Sequence, residues 1–176
     1  IIETFKKQIN ELTVLDKGEA EIRDHIKISK CRPFVVKEQG YLIPKKSVFN
    51  KIIGDSHFEL LFAGFLDGCN DIVSYAKNFF AVHFKIDYRN DEGAISEYYP
   101  DFLVKAAEKE IYIIETKGRE DLDDLLKIKR LSQWCEDINS VQSDVHYAWL
   151  YVEQEKFEKY HPKNFTELRN AFRSEG

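Results

Sequence analysis

The chain has 176 residues, 43% of them hydrophobic, a formal net charge of −5 and three cysteines. That length and apolar content suit one domain with a buried core and exclude a disordered or low-complexity chain. The acidic balance excludes a protein that grips nucleic acid by bulk positive charge, because nonspecific affinity comes mostly from lysine and arginine neutralising phosphates.

Cys31, Cys69 and Cys135 are odd in number and far apart, which indicates neither a disulfide framework nor a zinc motif and points to a reducing compartment. The five histidines, His25, His57, His83, His146 and His161, show no paired metal spacing, and only His57 lies near another candidate residue. No run of about eighteen apolar residues and no basic-then-apolar leader is present, so no membrane partner is expected and a bacterial-type cytoplasmic location is the default. The chain starts at Ile1 and contains no methionine, as expected of a piece of a longer protein or of a sequence that has lost modified methionines.

In chain order, Ile1, Phe5, Ile9 and Leu12 step by three or four and predict a helix ending near Lys17-Gly18. Phe34-Val35-Val36 and Tyr41-Leu42-Ile43 read as two short strands of an accessory hairpin around Glu38-Gln39-Gly40, closed by Pro44. A helix is predicted over 56–66, a second short helix over 70–78, and strands near 80–88, 95–104 and 111–117, with Asn90-Asp91-Glu92-Gly93 as the first turn. Leu122, Leu125, Ile128, Leu131, Cys135 and Ile138 form the apolar stripe of a helix over 122–139, and a strand follows over 145–152. A tail helix is predicted over 164–172, capped by Asn164 with Glu167 at its third position. The expected divisions are a connector at 1–47, a core at 48–152 and a helical tail at 153–176.

The chemistry concentrates in Pro100-Asp101 and Glu115-Thr116-Lys117. A hairpin turn centred on Glu108 sets Asp101 across from Glu115, and opposed side chains on one sheet face have Cβ atoms about 5 Å apart. Two carboxylates at that spacing can hold one divalent cation at roughly 2.0 to 2.6 Å. Lys117, two residues beyond Glu115, shares that face, where its ammonium can hold a nucleophilic water and stabilise charge on a phosphorane-like transition state. The inert alternative is a surface ion pair, worth about 0 to 1 kcal/mol. Against it, Ile111-Tyr112-Ile113-Ile114 reads as a strand buried on both faces, at whose end charged groups are costly without a task.

Taken with Tyr98-Tyr99-Pro100-Asp101-Phe102-Leu103-Val104 and Ile113-Ile114-Glu115-Thr116-Lys117-Gly118, this pattern resembles the PD-(D/E)XK nuclease superfamily. More narrowly, it resembles the C-terminal endonuclease domain of type III restriction enzyme Res subunits. The resemblance covers about residues 48 to 152, from Val48-Phe49-Asn50 through Gln133-Trp134-Cys135 to the last core strand. It implies a restriction-endonuclease-like α/β core of α-β-β-β-α-β order, with a mixed central sheet flanked by helices. The implied activity is Mg²⁺-dependent hydrolysis of double-stranded DNA, with Mn²⁺ as a substitute metal.

Asp101 and Glu115 would bind the metal and Lys117 would assist the water. Glu59, in Ser56-His57-Phe58-Glu59, matches a further acid of the family, although Ser56-x-x-Glu59 is also a capping box that would occupy Glu59 with the Ser56 N–H. The resemblance assigns a phosphate contact to Lys129 and a weaker DNA contact to Gln133, while Lys127 and Arg130 read as solvated flank. It also implies an upstream helicase-like translocase in the same polypeptide, which alone would use ATP, and a methyltransferase partner that reads the target. No Gly-x-x-x-x-Gly-Lys phosphate loop occurs in this chain. The same core would serve a repair or junction-processing nuclease, and without its chemistry it would be a docking module for a translocase.

Overall fold

The computed structural model describes residues 20–22, 25–35, 40–118 and 123–172. The expected first helix, the 36–39 part of the accessory hairpin and Leu122 lie outside them. The short strand β1 (Tyr41–Leu42) pairs antiparallel with β2 (Ile52–Ile53), so the partner of the Tyr41 strand is not the Phe34 segment.

Helix α1 (His57–Gly68) begins where Ser56 Oγ accepts the Glu59 N–H at 3.1 Å. Its approach needs Gly54, where a Cβ would stand 2.7 Å from the Ser56 carbonyl oxygen. Strand β3 (Ser74–Lys77) follows where a helix was predicted over 70–78. Pairing with a neighbouring strand outweighs local preference there, and Asp71 instead accepts the N–H groups of Phe165 and Thr166 at 3.0 and 2.8 Å.

The predicted strand over 80–88 is a one-turn 3₁₀ segment at Phe80–Val82, then His83 at φ 60°, and only then β4 (Ile86–Arg89). The predicted strand over 95–104 is two strands in two sheets. β5 (Ile95–Tyr98) forms a hairpin with β4, and β6 (Phe102–Ala107) joins the central sheet. Pro100 sits at the break, where a residue without an N–H cannot continue a ladder.

Strand β7 (Glu110–Lys117), helix α2 (Asp124–Val141) and strand β8 (His146–Glu153) complete the core. The central sheet runs β3-β6-β7-β8, antiparallel except for the β7–β8 pair, which is parallel. With α1 and α2 this mixed sheet follows the expected α-β-β-β-α-β order, but its first strand is β3 and not the predicted 80–88 strand, whose β4 part pairs with β5 in a separate hairpin.

Both faces of the sheet are covered. Phe58, Phe62 and Leu66 of α1 pack on Phe102, Val104, Ile114 and Leu150, while Leu131 and Cys135 of α2 pack with Ile113, Tyr98 and Ile86. The tail has a partner too. Helix α3 (Gln154–Tyr160), which the sequence reading missed, and α4 (Phe165–Phe172) put Phe157, Phe165 and Leu168 against the α1 side of the core. Asn164 caps α4 as expected, accepting the Glu167 N–H at 2.8 Å. Among the described residues no helix is long and apolar enough to cross a membrane.

Candidate active site

The β6–β7 register pairs Phe102 with Ile114 and Leu103 with Ile113, so the ladder runs directly out to Asp101 beside Glu115. At the turn Ala107 pairs with Glu110, and the register shift between Lys105 and Ala107 brings the ladder into the alignment that carries out to Asp101 and Glu115. Asp101 itself stands one residue before β6. Its backbone carbonyl accepts the Asn78 N–H at 2.7 Å, and its Oδ2 accepts the Thr116 N–H and hydroxyl at 2.8 and 2.6 Å. The middle residue of Glu115-Thr116-Lys117 therefore anchors the carboxylate supplied by the neighbouring strand.

The other Asp101 oxygen is held by a residue that sequence reasoning missed. Lys77, the last residue of β3 and only 3% exposed, puts Nζ 2.9 Å from Asp101 Oδ1 and 2.7 Å from Glu59 Oε2. Burial alone would push this lysine's pKa down, but Asp101 and Glu59 outweigh it and raise it, so Lys77 stays charged. Asn78 next to it donates Nδ2 to the carbonyls of Pro100 and Phe84 at 2.8 and 2.9 Å, fixing the segment that carries Asp101. Glu59 also accepts the Asp55 N–H at 3.0 Å, so the capping interaction is present but reaches Asp55 and not Ser56.

Glu115 meets a different environment. Tyr98 Oη donates to its Oε2 at 3.0 Å. Burial, followed by repulsion from Asp101, pushes the Glu115 pKa up to about 8, against the smaller opposing pulls of Tyr98, Lys117 and Lys77. The Tyr98 phenol, buried and facing Glu115, is raised well above its ordinary value and remains a donor.

At the end of β7, Lys117 Nζ lies 2.8 Å from Asp124 Oδ1, and Lys127 Nζ lies 3.7 Å from the same oxygen. Asp124 opens α2 and is 5% exposed. Its position was legible. Counting back from Cys135, Leu131 and Ile128 on the inward stripe leads to 124, and an acid on an apolar face calls for a partner. The expected stripe ran instead through Leu125, which is 78% exposed.

The structure thus brings Asp101, Glu115, Lys117 and Glu59 to one end of the sheet and adds Lys77, Thr116, Tyr98 and Asp124. It does not bring Lys129 or Gln133 into that cluster. Both are exposed on α2, and Gln133 Nε2 donates to Asp137 Oδ1 at 3.0 Å. Lys127, read as solvated flank, is the α2 lysine that reaches the cluster, and His57 is exposed.

A family model described as an endonuclease domain matches residues 45–154. The chain belongs to this endonuclease-domain family. Searches of curated proteins and of solved structures each found no match. This endonuclease domain is a nuclease, and the Asp101–Glu115 end of its sheet is where its charged residues converge.

Among the described residues no group of three or more His, Cys, Asp or Glu side chains is arranged to hold a metal. Mg²⁺ needs fewer, since it keeps several waters and takes one or two protein carboxylates. The Asp101–Glu115 pair fits that requirement. Burial, and after it repulsion from Asp101, raises the Glu115 pKa to about 8, and a divalent cation between the two carboxylates would relieve that repulsion.

Proposed function

We propose that this domain is a metal-dependent endonuclease that hydrolyses DNA phosphodiester bonds, with Asp101 and Glu115 holding Mg²⁺. The observation that carries the reading is the pairing of two carboxylates at the end of β6 and β7, with Glu115 at a pKa of about 8 beside Asp101. When bound, Mg²⁺ supplies Lewis acidity toward a phosphoryl oxygen and lowers the pKa of a coordinated water.

The chain's own residues do the rest. Lys117, held by Asp124, presents an ammonium to the attacking water and to the charge that builds on the phosphate. Thr116 and Lys77 fix the two Asp101 oxygens. Tyr98 orients Glu115. Glu59 supports Asp101 through Lys77. Lys129 and Gln133, on the exposed side of α2, contact DNA outside the metal centre.

The type III restriction context belongs to the same proposal. In it, this domain is the cleavage module of a helicase-nuclease subunit, with the ATP-driven translocase upstream and a methyltransferase supplying target recognition. The net charge of −5 supports dependence on such partners, because the domain has little bulk positive charge with which to hold DNA.

Calorimetric titration of Mn²⁺ tests the reading. Binding to the wild-type chain that disappears in Asp101→Ala and in Glu115→Ala is expected. Binding that survives in both variants would place the metal elsewhere.

A further inference from the structure

Lys77 is an unusual neighbour for a metal centre. Its ammonium is buried, 2.7 Å from Glu59 and 2.9 Å from Asp101, with the exposed Asp55 carboxylate at 3.8 Å. It also lies 5.3 Å from the centre of the Phe102 ring, its partner across the β3–β6 ladder. A cation bridging two carboxylates at these distances occupies the place a second metal ion would take between them. It does so with a fixed charge delivered by the backbone of β3, and it leaves Glu59 Oε2 committed to an ammonium and to the Asp55 N–H.

Resting on the proposed metal centre, we infer that Lys77 is a positioning residue that acts as a built-in cation. It holds Glu59 away from the metal and Asp101 toward it, so that the site takes a single divalent ion between Asp101 and Glu115. The sequence reading left Glu59 open between a place at the metal centre and the capping of its own helix. The geometry divides the acids instead, with Glu59 assigned to Lys77, Glu115 to the metal, and Asp101 shared by the two.

The test is the stoichiometry and affinity of Mn²⁺ binding, read by calorimetry and by the electron paramagnetic resonance of the bound ion. The wild-type chain should bind one Mn²⁺, and Glu59→Gln should keep one ion with affinity within tenfold of wild type. Lys77→Met should bind two, because Glu59 and Asp101 are left facing each other without a counter-ion. The double variant Lys77→Met with Glu59→Gln should return to one.

A second ion is a result that a merely structural lysine would not give. Two ions in the wild type, a loss of more than tenfold in affinity in Glu59→Gln, or one ion in a folded Lys77→Met chain would each overturn the role of Lys77. If Lys77→Met does not fold, the wild-type stoichiometry and the Glu59→Gln affinity still decide. No Mn²⁺ binding by the wild type, or binding unaffected by Glu115→Gln, would overturn the metal centre itself and this inference with it.

Discussion

The Tyr98 hydroxyl donates to Glu115 Oε2 at 3.0 Å, linking the last residue of the β4–β5 hairpin to the acid of the central strand. The bond favours the ionised carboxylate and so counters part of the burial and repulsion that raise the Glu115 pKa to about 8. Tyr98→Phe removes that donor without changing the ring. We expect the pH midpoint of Mn²⁺ binding to move upward by roughly half a unit or more. Titrations across a pH series check this, and an unchanged midpoint would separate Tyr98 from the metal centre.

Glu115 also sets a pH dependence of stability. Its folded pKa of about 8 lies above the ordinary value of 4.5, so between those values the folded chain holds a proton that the unfolded chain has released. Metal-free stability should therefore fall as pH rises through that window. Glu115→Gln removes this slope and should leave the metal-free domain more stable than wild type near the upper end. Denaturant midpoints in chelator at several pH values measure it. Adding Mg²⁺ should stabilise wild type most at the same alkaline end and leave Glu115→Gln unchanged.

The tail offers a test of the fold apart from the chemistry. Asp71 accepts the Phe165 N–H at 3.0 Å and the Thr166 N–H and hydroxyl each at 2.8 Å. Burial pushes the Asp71 pKa up, but these bonds together outweigh it and lower it. Asp71→Ala should cost about 1 to 2 kcal/mol, as loss of a helix cap does. Because the folded pKa is depressed, the stabilisation is present above the ordinary carboxylate range and is lost as pH falls through the folded value. Chemical denaturation of wild type and variant at neutral and acid pH should show the difference shrinking at the acid end.

Phe62 is fully buried and sits 5.4 Å from Phe102 and 5.6 Å from Phe157, tying α1 and α3 to β6. Phe62→Ala should cost about 3 to 5 kcal/mol. Because Glu59 lies one turn earlier on the same helix, the variant should also loosen the Glu59–Lys77 pair. A thermal melt gives the first effect, and the salt dependence of the melt gives the second.

The core was legible wherever a strong local pattern met an undemanding neighbourhood. The 57–68 and 124–141 helices carry long apolar stripes, and the 110–117 strand carries an uncharged, largely apolar run from Ile111 to Ile114 before Glu115. Asp101 falls beside Glu115 as the expected turn at Glu108 implied, although the turn is centred between Glu108 and Lys109 and the register shift between Lys105 and Ala107 is what restores that alignment.

Lys77 was not legible. Ser74-Tyr75-Ala76-Lys77 is short and has no clear alternation, and only pairing with Phe102–Lys105 makes it a strand. A lysine in such a stretch looks solvated until two carboxylates distant in sequence close around it. The split of 95–104 was marked by Pro100, but which sheet each half joins is a tertiary choice. Asp124 could have been found by extending the inward stripe one more turn toward the helix start.

The most direct test of the mechanism is DNA cleavage by the domain in its full-length polypeptide, with any recognition partners present, comparing wild type with Lys117→Ala and Glu115→Ala. Mg²⁺-dependent cutting by wild type that chelator stops, with cutting abolished in both variants and the Lys117→Ala fold retained, is the predicted result. An inert wild type in that assembly, or full-rate cutting by Lys117→Ala, would contradict the mechanism.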